Sequence, residues 1–327
     1  MKNTNPIGRF ATALAAVFVC NLCGFARGAN PFVGAWELTI PGGGAGWLGV
    51  ADNDSKLSAQ LLWGGGSVLP VDQVKLDGNT LVLTRHQRSR RGGGSDQIIT
   101  ATRNGDALSL TTVTKRADGS ETAKASFSGK LQPPLPPAPD LSKVKFGEPI
   151  QLFNGRDLTG WRLAEPDAFN GWRAQDGLLI NDQSTPGKHY GNLRTDREFE
   201  DFNITLETKL DKHGNSGVYL RGIYECQVAD TYGRKTDPHN MGAIYSRITP
   251  TENVEKEPGQ WQTLDITLVD RHATVILNGK NIIDNQPITG CTGGALWSDV
   301  SRPGPILLQG DHTGITYRNI VLRPVVR

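Results

Sequence analysis

Short runs of alternating apolar and polar residues recur along most of the chain, and they predict strands. "FVGAWELTI", "GWLGVADN", "KLSAQLLW", "TLVLTR", "QIITATRNG", "ALSLTTVTK" and "AKASFSGKL" follow one another before residue 131, with "DGN", "NGD" and "ADGS" as turns between them. About seven meandering strands of this kind predict a small β-barrel or β-sandwich. Later, "DFNITLETKLD" sends Phe202, Ile204 and Leu206 to one face and Asn203, Thr205 and Glu207 to the other. "TLDITLVDRHATVILNGKNIID" reads as strands with a hairpin turn at Asn278-Gly279, and "GPILLQGD" and "GITYRNIVLRPV" read as closing strands. No long amphipathic helical repeat interrupts the series. The fold class is all-β, and many antiparallel strands in the second region imply two packed sheets.

One stretch departs from an ordinary core strand. In "YLRGIYECQVAD", counting by twos puts Val218, Leu220, Gly222, Tyr224, Cys226 and Val228 on one face. Tyr219, Arg221, Ile223, Glu225 and Gln227 fall on the other, with Asp230 following. The second face carries a phenol, a cation, a carboxylate and an amide. Such a row does not suit the layer between two sheets, so it is expected to line the floor of an open groove.

Composition and punctuation divide the chain. Residues 1–28 combine Lys2 and Arg9 with the apolar run "FATALAAVFVCNLCGF" and the small residues of "ARGAN". This reads as a secretory signal peptide. The run is shorter than the roughly 20 apolar residues of a membrane span, and Asn21 breaks it. The mature protein is expected to be exported, periplasmic or extracellular, with no stable membrane insertion. Residues 30–130 form the small all-β region. Residues 131–147 are rich in proline and read as a semi-rigid linker. Residues 148–327 form the larger sandwich, expected to fold by itself. A net charge of +2 argues against nucleic acid as a partner held by bulk charge. The basic loop Arg85 to Ser95 is either a solvated hairpin tip or a contact for an anionic group. Of four cysteines, Cys226 and Cys291 lie beyond the leader; they either pair or remain buried thiols.

Within residues 148–325 a specific ordered set appears: "LFNGRDLTGW", "DGLLIND", "NSGVYLRGIYECQVAD", "GAIY", "GQW", "LNGK" and "LQGDHTGITYRNIVLRP". This set resembles the 3-keto-disaccharide hydrolase family, formerly domain of unknown function 1080. The resemblance implies a concanavalin A-like jelly-roll sandwich and an oligosaccharide or glycoside substrate. A fainter resemblance is to laminarinase-like glycosidases of the same fold, which carry Glu-x-Asp-x-x-Glu on a concave strand. Here the row is Glu225, Gln227, Asp230, so two of the three residues differ, and an ordinary two-carboxylate mechanism is in doubt.

The chemistry that the family resemblance implies needs fewer carboxylates. A ketone at C3 of a sugar acidifies the C2–H; a base removes it, the enolate expels the group at C1, and water adds. Glu225 is the candidate base, with His312 and, more weakly, Asp230 as acid or metal ligand. Arg221 and Gln227 are candidate substrate-binding groups, although Arg221 could simply pair with Glu225. Tyr219, Tyr245 and Trp172 are candidate sugar platforms, whereas Trp161 and Trp261 suit a core. His189, His213 and His239 lie in loops with no ligand-like spacing. A divalent metal, calcium or a catalytic ion, is compatible with the implied fold, but no EF-hand loop is present. A non-catalytic carbohydrate-binding module is the alternative to an enzyme. Exported material should begin after about Gly28 when its N-terminus is sequenced; soluble cytoplasmic protein retaining Met1 would overturn the leader assignment.

Overall fold

The computed structural model describes residues 30–53, 56–88 and 94–326. The expected leader and the tip of the basic loop lie outside the described residues. Among the described residues there is no helix, and hence none long and apolar enough to cross a membrane.

The small region is one nine-stranded antiparallel sheet. Along the sheet the strands run Leu69–Pro70, Lys56–Trp63, Ala45–Asn53, Gly34–Thr39, Ala125–Leu131, Ala107–Arg116, Gly94–Asn104, Thr80–Arg88 and Gln73–Asp77. Its two ends adjoin in sequence, and Gln73–Asp77 comes back against Lys56–Trp63. The sheet therefore curls into an incomplete barrel. Its interior holds Trp36, Leu48, Leu61, Leu83, Ile99 and Leu110. The two short strands beyond the expected seven, Leu69–Pro70 and Gln73–Asp77, have mostly exposed side chains and carry little alternation to detect.

The large region is a sandwich of two antiparallel sheets in a jelly-roll arrangement. One orders Trp172–Gln175, Leu178–Asn181, Ile315–Val326, Phe202–Lys209, Gln262–Val269, His272–Leu277 and Lys280–Pro287, with two short strands paired to Ile315–Val326. Phe202–Lys209 alternates buried and half-buried along its whole length, as its sequence pattern requires. Asn278 and Gly279 both have positive φ and close the expected two-residue hairpin, with Leu277 opposite Lys280. The second sheet orders Trp161–Leu163, Leu193–Thr195, Leu307–Leu308, Asn215–Leu220 and Tyr224–Ala229. Leu206, Val218, Tyr224, Cys226, Leu264 and Ile320 belong to the shared core. Cys226 and Cys291 are both free, buried thiols.

The two regions dock closely. Trp47 and Leu62 of the small region belong to the core of the large one. The Trp47 ring lies against Gly290, where any Cβ would collide with it, and under the Arg247 guanidinium at 4.2 Å. Glu37 crosses to accept the Val300 amide at 2.9 Å. The proline-rich segment is held too. Its carbonyls at Pro133 and Pro134 accept from Arg271, and Pro139 accepts from Asn285. Trp47→Ala should destabilise the whole chain by about 3–5 kcal/mol, the usual cost of emptying a buried tryptophan site. Urea unfolding followed by far-UV circular dichroism measures it; a wild-type midpoint would mean that this contact does not hold the regions together.

Candidate active site

The stretch expected to be one strand is a hairpin. Asn215–Leu220 and Tyr224–Ala229 pair antiparallel, with Leu220 opposite Tyr224, Tyr219 opposite Glu225 and Gly217 opposite Gln227. The turn between them places Arg221 and Gly222 at φ of 56° and 67°. A positive φ strains a residue with a Cβ. Here the Arg221 guanidinium fastens the turn by donating to the Val300 carbonyl at 2.7 Å and to that of Arg302. Arg221 is therefore a buried clamp on the loop after residue 298. It neither shares the face of Glu225 nor pairs with it, contrary to the expectation from counting.

Registers across the sheet carry the polar face further. Arg162 opposes Arg194, Arg194 opposes Leu307, Leu307 opposes Tyr219, and Tyr219 opposes Glu225. Beyond Glu225 the irregular segment 240–248 continues the row, because the Tyr245 amide donates to the Glu225 carbonyl at 2.9 Å. Tyr219, Glu225 and Tyr245 thus stand side by side on three neighbouring segments. The floor is not open as expected. Glu225 is 4% exposed, Tyr219 2% and Gln227 5%. Segment 291–294 covers part of it: Tyr219 donates to the Gly293 carbonyl at 2.8 Å, and the Thr292 hydroxyl accepts from the Glu225 amide at 2.9 Å.

Glu225 owes its position to a missing side chain. A Cβ at Gly217 would collide with the Glu225 carboxylate, so the glycine leaves the space above its strand to that group. Burial pushes the Glu225 carboxyl up to about 8, opposed by the neighbouring Tyr219 phenol and by the charge of His312. Burial, then the charge of Glu225, keeps the Tyr219 phenol protonated. His312 bonds through Nδ1 to Asp311 at 2.6 Å. That bond raises the imidazole, and the Glu225 charge adds to the effect. Burial works against ionisation of Asp311, but His312 prevails and holds the carboxyl below its ordinary value. A second histidine–carboxylate pair, His239 with Asp237, lies at the other end. The His239 ring meets Tyr245 edge-on at 4.9 Å.

Glu225, Tyr219, Gln227, Tyr245 and His312 therefore belong to one neighbourhood. Trp172 does not: it is buried, stacked on Tyr317 and bonded to the Gly191 carbonyl at 2.9 Å, so it is core and no sugar platform. Asp230 lies past the strand, where it accepts the His213 amide at 2.7 Å. Trp161 is buried as expected, whereas Trp261 is half-buried between Lys209 and Arg318. His189 and His213 are exposed. Another carboxyl, Glu255, is also pushed up by burial, to about 7, yet it spends its oxygens on the amide and hydroxyl of Thr231 and is structural. Sequence reasoning passed over Asp311, although it adjoins His312 in "GDHTG", and over Asp237, two residues before His239. Among the described residues, no group of three or more His, Cys, Asp and Glu is placed to hold a metal ion.

Residues 148–323 match the family described as 3-keto-alpha-glucoside-1,2-lyase-like domain. The chain belongs to that family. The lyase-like match starts just after the proline-rich segment and leaves the small region outside it. A 3-keto-disaccharide hydrolase from Bacteroides thetaiotaomicron is 24% identical over 166 residues, which is 41% of this chain and 57% of that protein. The chain thus spans less than two thirds of that relative. A proposed glycosyl hydrolase from Parabacteroides distasonis, solved at 2.13 Å, is 29% identical over 60% of this chain and 94% of its own, with a TM-score of 0.45. A non-specific endo-beta-1,3(4)-glucanase is 12% identical over 56% and 91%, with a TM-score of 0.35.

The raised carboxyl gives this lyase-like site a pH signature. Folded chain keeps a proton on Glu225 up to about pH 8, whereas unfolded chain releases it near 4.5. Folding therefore takes up a proton between these values, and stability falls as pH rises through that window and then levels off. Glu225→Gln lacks this loss. Relative to wild type it should gain on the order of a few kcal/mol between pH 5 and pH 8.5, measured by denaturant unfolding. The same difference at both pH values would show that Glu225 does not titrate in this way.

Proposed function

We propose that the chain is a carbohydrate-active hydrolase that cleaves the glycosidic bond of 3-keto-glycosides. The supporting observation is a single carboxyl, Glu225, kept in a dry, covered site beside an imidazole–carboxylate pair. The second position of a two-carboxylate glycosidase, Asp230, is turned to the His213 amide instead. A carboxylate deprived of water is a stronger base than a solvated one, and the C2–H next to a ketone demands such a base. The ionised fraction of Glu225, which grows as pH rises toward about 8, takes that proton, and the electron pair forms the C2–C3 enolate. As the ketone re-forms, the C1–O bond breaks, and the imidazolium of His312 protonates the departing oxygen. Water then attacks C1 and gives a proton to His312, while Glu225 returns its proton to C2, so the hydration closes the C1–C2 double bond and restores both groups. Asp311 holds the imidazole oriented and charged for its step. The Tyr245 hydroxyl is a donor on the same wall for a sugar oxygen. Family membership supports the glycoside class of substrate, and the charged, apolar leader supports a substrate met after export.

The assay is a 3-keto-disaccharide incubated with the whole chain, with and without chelator, and product analysis. Glu225→Gln keeps the shape of the side chain but accepts no proton, so turnover should fall about 10²–10⁴-fold while folding is preserved. Full activity in that variant would remove Glu225 from the base role. Binding with no turnover in wild type would make the domain a sugar-binding module.

A further inference from the structure

A hydroxyl, an imidazole and a carboxylate stand in line where the two regions meet. Ser67 lies in loop 64–68, "GGGSV", of the small region, which the family match leaves out. Its Oγ is 2.8 Å from His239 Nε2. Across the ring, His239 Nδ1 is 2.5 Å from Asp237 Oδ1. The same oxygen accepts the His239 amide at 2.9 Å, so ring and backbone are fixed together. Tyr245 meets the imidazole edge-on and brings its hydroxyl to 3.5 Å from Ser67 Oγ. With the Nδ1 proton directed to Asp237, Nε2 accepts the Ser67 proton. Three imidazole–carboxylate pairs occur among the described residues, at His86, His239 and His312. Among those residues only His239 has a hydroxyl at its other ring nitrogen. Docking alone does not account for that hydroxyl, because the loop is seated without it. The Val68 amide donates to the Ser246 hydroxyl at 2.9 Å, and the Gly64 carbonyl accepts from the Gly294 amide at 3.3 Å. The loop also has donors to spare. Gly64 and Gly66 have positive φ and Gly65 between them does not, the alternation by which successive amides converge on an anion. The amides of Gly65, Gly66 and Ser67 donate to no acceptor among the described residues. Gly65 and Gly66 are exposed, and the His239 side chain is 41% exposed, so the cluster opens to solvent.

We propose that Ser67, His239 and Asp237 form a second catalytic site, a serine hydrolase for short-chain carboxylic esters, assembled from both domains. A serine bonded to an imidazole that is bonded in turn to a carboxylate is an activated nucleophile on whatever fold it occurs. Ser67 Oγ attacks the acyl carbon while His239 Nε2 takes its proton. The carbonyl electron pair moves onto oxygen, and the Tyr245 hydroxyl and the free loop amides receive that charge. The pair then returns, the acyl C–O bond breaks, and the imidazolium protonates the departing alcohol. Water attacks the acyl-serine as His239 takes a proton from it. Release of the carboxylic acid returns that proton to Ser67 Oγ. Asp237 is the positioning residue, holding the ring and balancing the imidazolium. The apolar side chains that follow Ser67 are the half-buried Val68 and Leu69, which is 48% exposed. They give contact to a short acyl chain only. This site needs neither Glu225 nor His312 and does not rest on the glycosidase reading.

The test uses the whole chain with p-nitrophenyl acetate and with a fluorophosphonate, which captures activated serines. The fluorophosphonate should attach to Ser67, as read by peptide mass mapping. The acetate should be hydrolysed about 10²–10⁴-fold faster by wild type than by Ser67→Ala. Asp237→Asn separates catalysis from docking, because it leaves the Ser67 hydroxyl and the imidazole in the protein and changes only the partner of Nδ1. Labelling and acetate hydrolysis should both fall at least about 100-fold in that variant, with the melting temperature unchanged. Wild-type protein left unlabelled at Ser67, Asp237→Asn labelled at the wild-type rate, or Ser67→Ala hydrolysing the acetate as fast as wild type would each reduce Ser67 to a docking contact and overturn the proposal. p-Nitrophenyl octanoate cleaved as fast as the acetate would overturn the short-chain class.

Discussion

The register of one hairpin governs the site. Tyr219 faces Glu225, and Gly217 faces Gln227, because the chain reverses at Arg221 and Gly222. A slip of one residue would move every side chain of the second arm to the opposite face and carry Glu225 into the core between the sheets. The turn is held from outside the hairpin. Arg221 grips the carbonyls of Val300 and Arg302, and the amide of Val300 is in turn held by Glu37. A chain of charge-assisted bonds thus runs from the small domain through one loop to the turn. Such bonds are strong where water is excluded. The same domain also bears on the far side of the hairpin through Ser67.

Burial supplies the chemistry that this register makes available. A glutamate on an exposed strand would be an ordinary, solvated anion and a weak base. Here the carboxyl occupies the gap left by Gly217, beneath segment 291–294. The nearest balancing charge is His312, itself shared with Asp311. Glu255 shows the contrast: it is also buried, but its oxygens are consumed by Thr231. What separates the two is therefore the hydrogen bonding left unused, more than the desolvation they have in common.

Much of the fold was legible because strand alternation reports burial directly, as along Phe202–Lys209. The face of Glu225 was legible for a narrower reason. Leu220 pairs with Tyr224 across a loop of three residues, and an odd loop preserves the parity of counting by twos. Tyr219 and Glu225 therefore come out on one face whether the stretch is read as a strand or as a hairpin. Parity says nothing about residues inside the loop, and Arg221 was misplaced for that reason. Trp172 was misplaced because an aromatic side chain beside turn residues gives no sign of whether its ring faces a sugar or another ring. Cover over the floor was invisible, since it comes from irregular segments without alternation. Ser67 and His239 are 172 positions apart and belong to different sheet systems; no local pattern connects them.

Trp47 has a consequence for the order in which the protein is made. Its ring packs on Gly290 and Arg247, and the neighbouring Gly46 carbonyl meets the thiol of Cys291, 245 positions later in the chain. A ribosome adding about 5–20 residues per second needs on the order of 10–50 s to cover that interval. From the time its last strand, Ala125–Leu131, is made until then, a completed small domain carries an uncovered indole on its surface, a sticky patch awaiting a partner not yet synthesised. The nascent chain is at its most aggregation-prone in this window, and a chaperone that shields tryptophan would act there before any that acts on the finished protein.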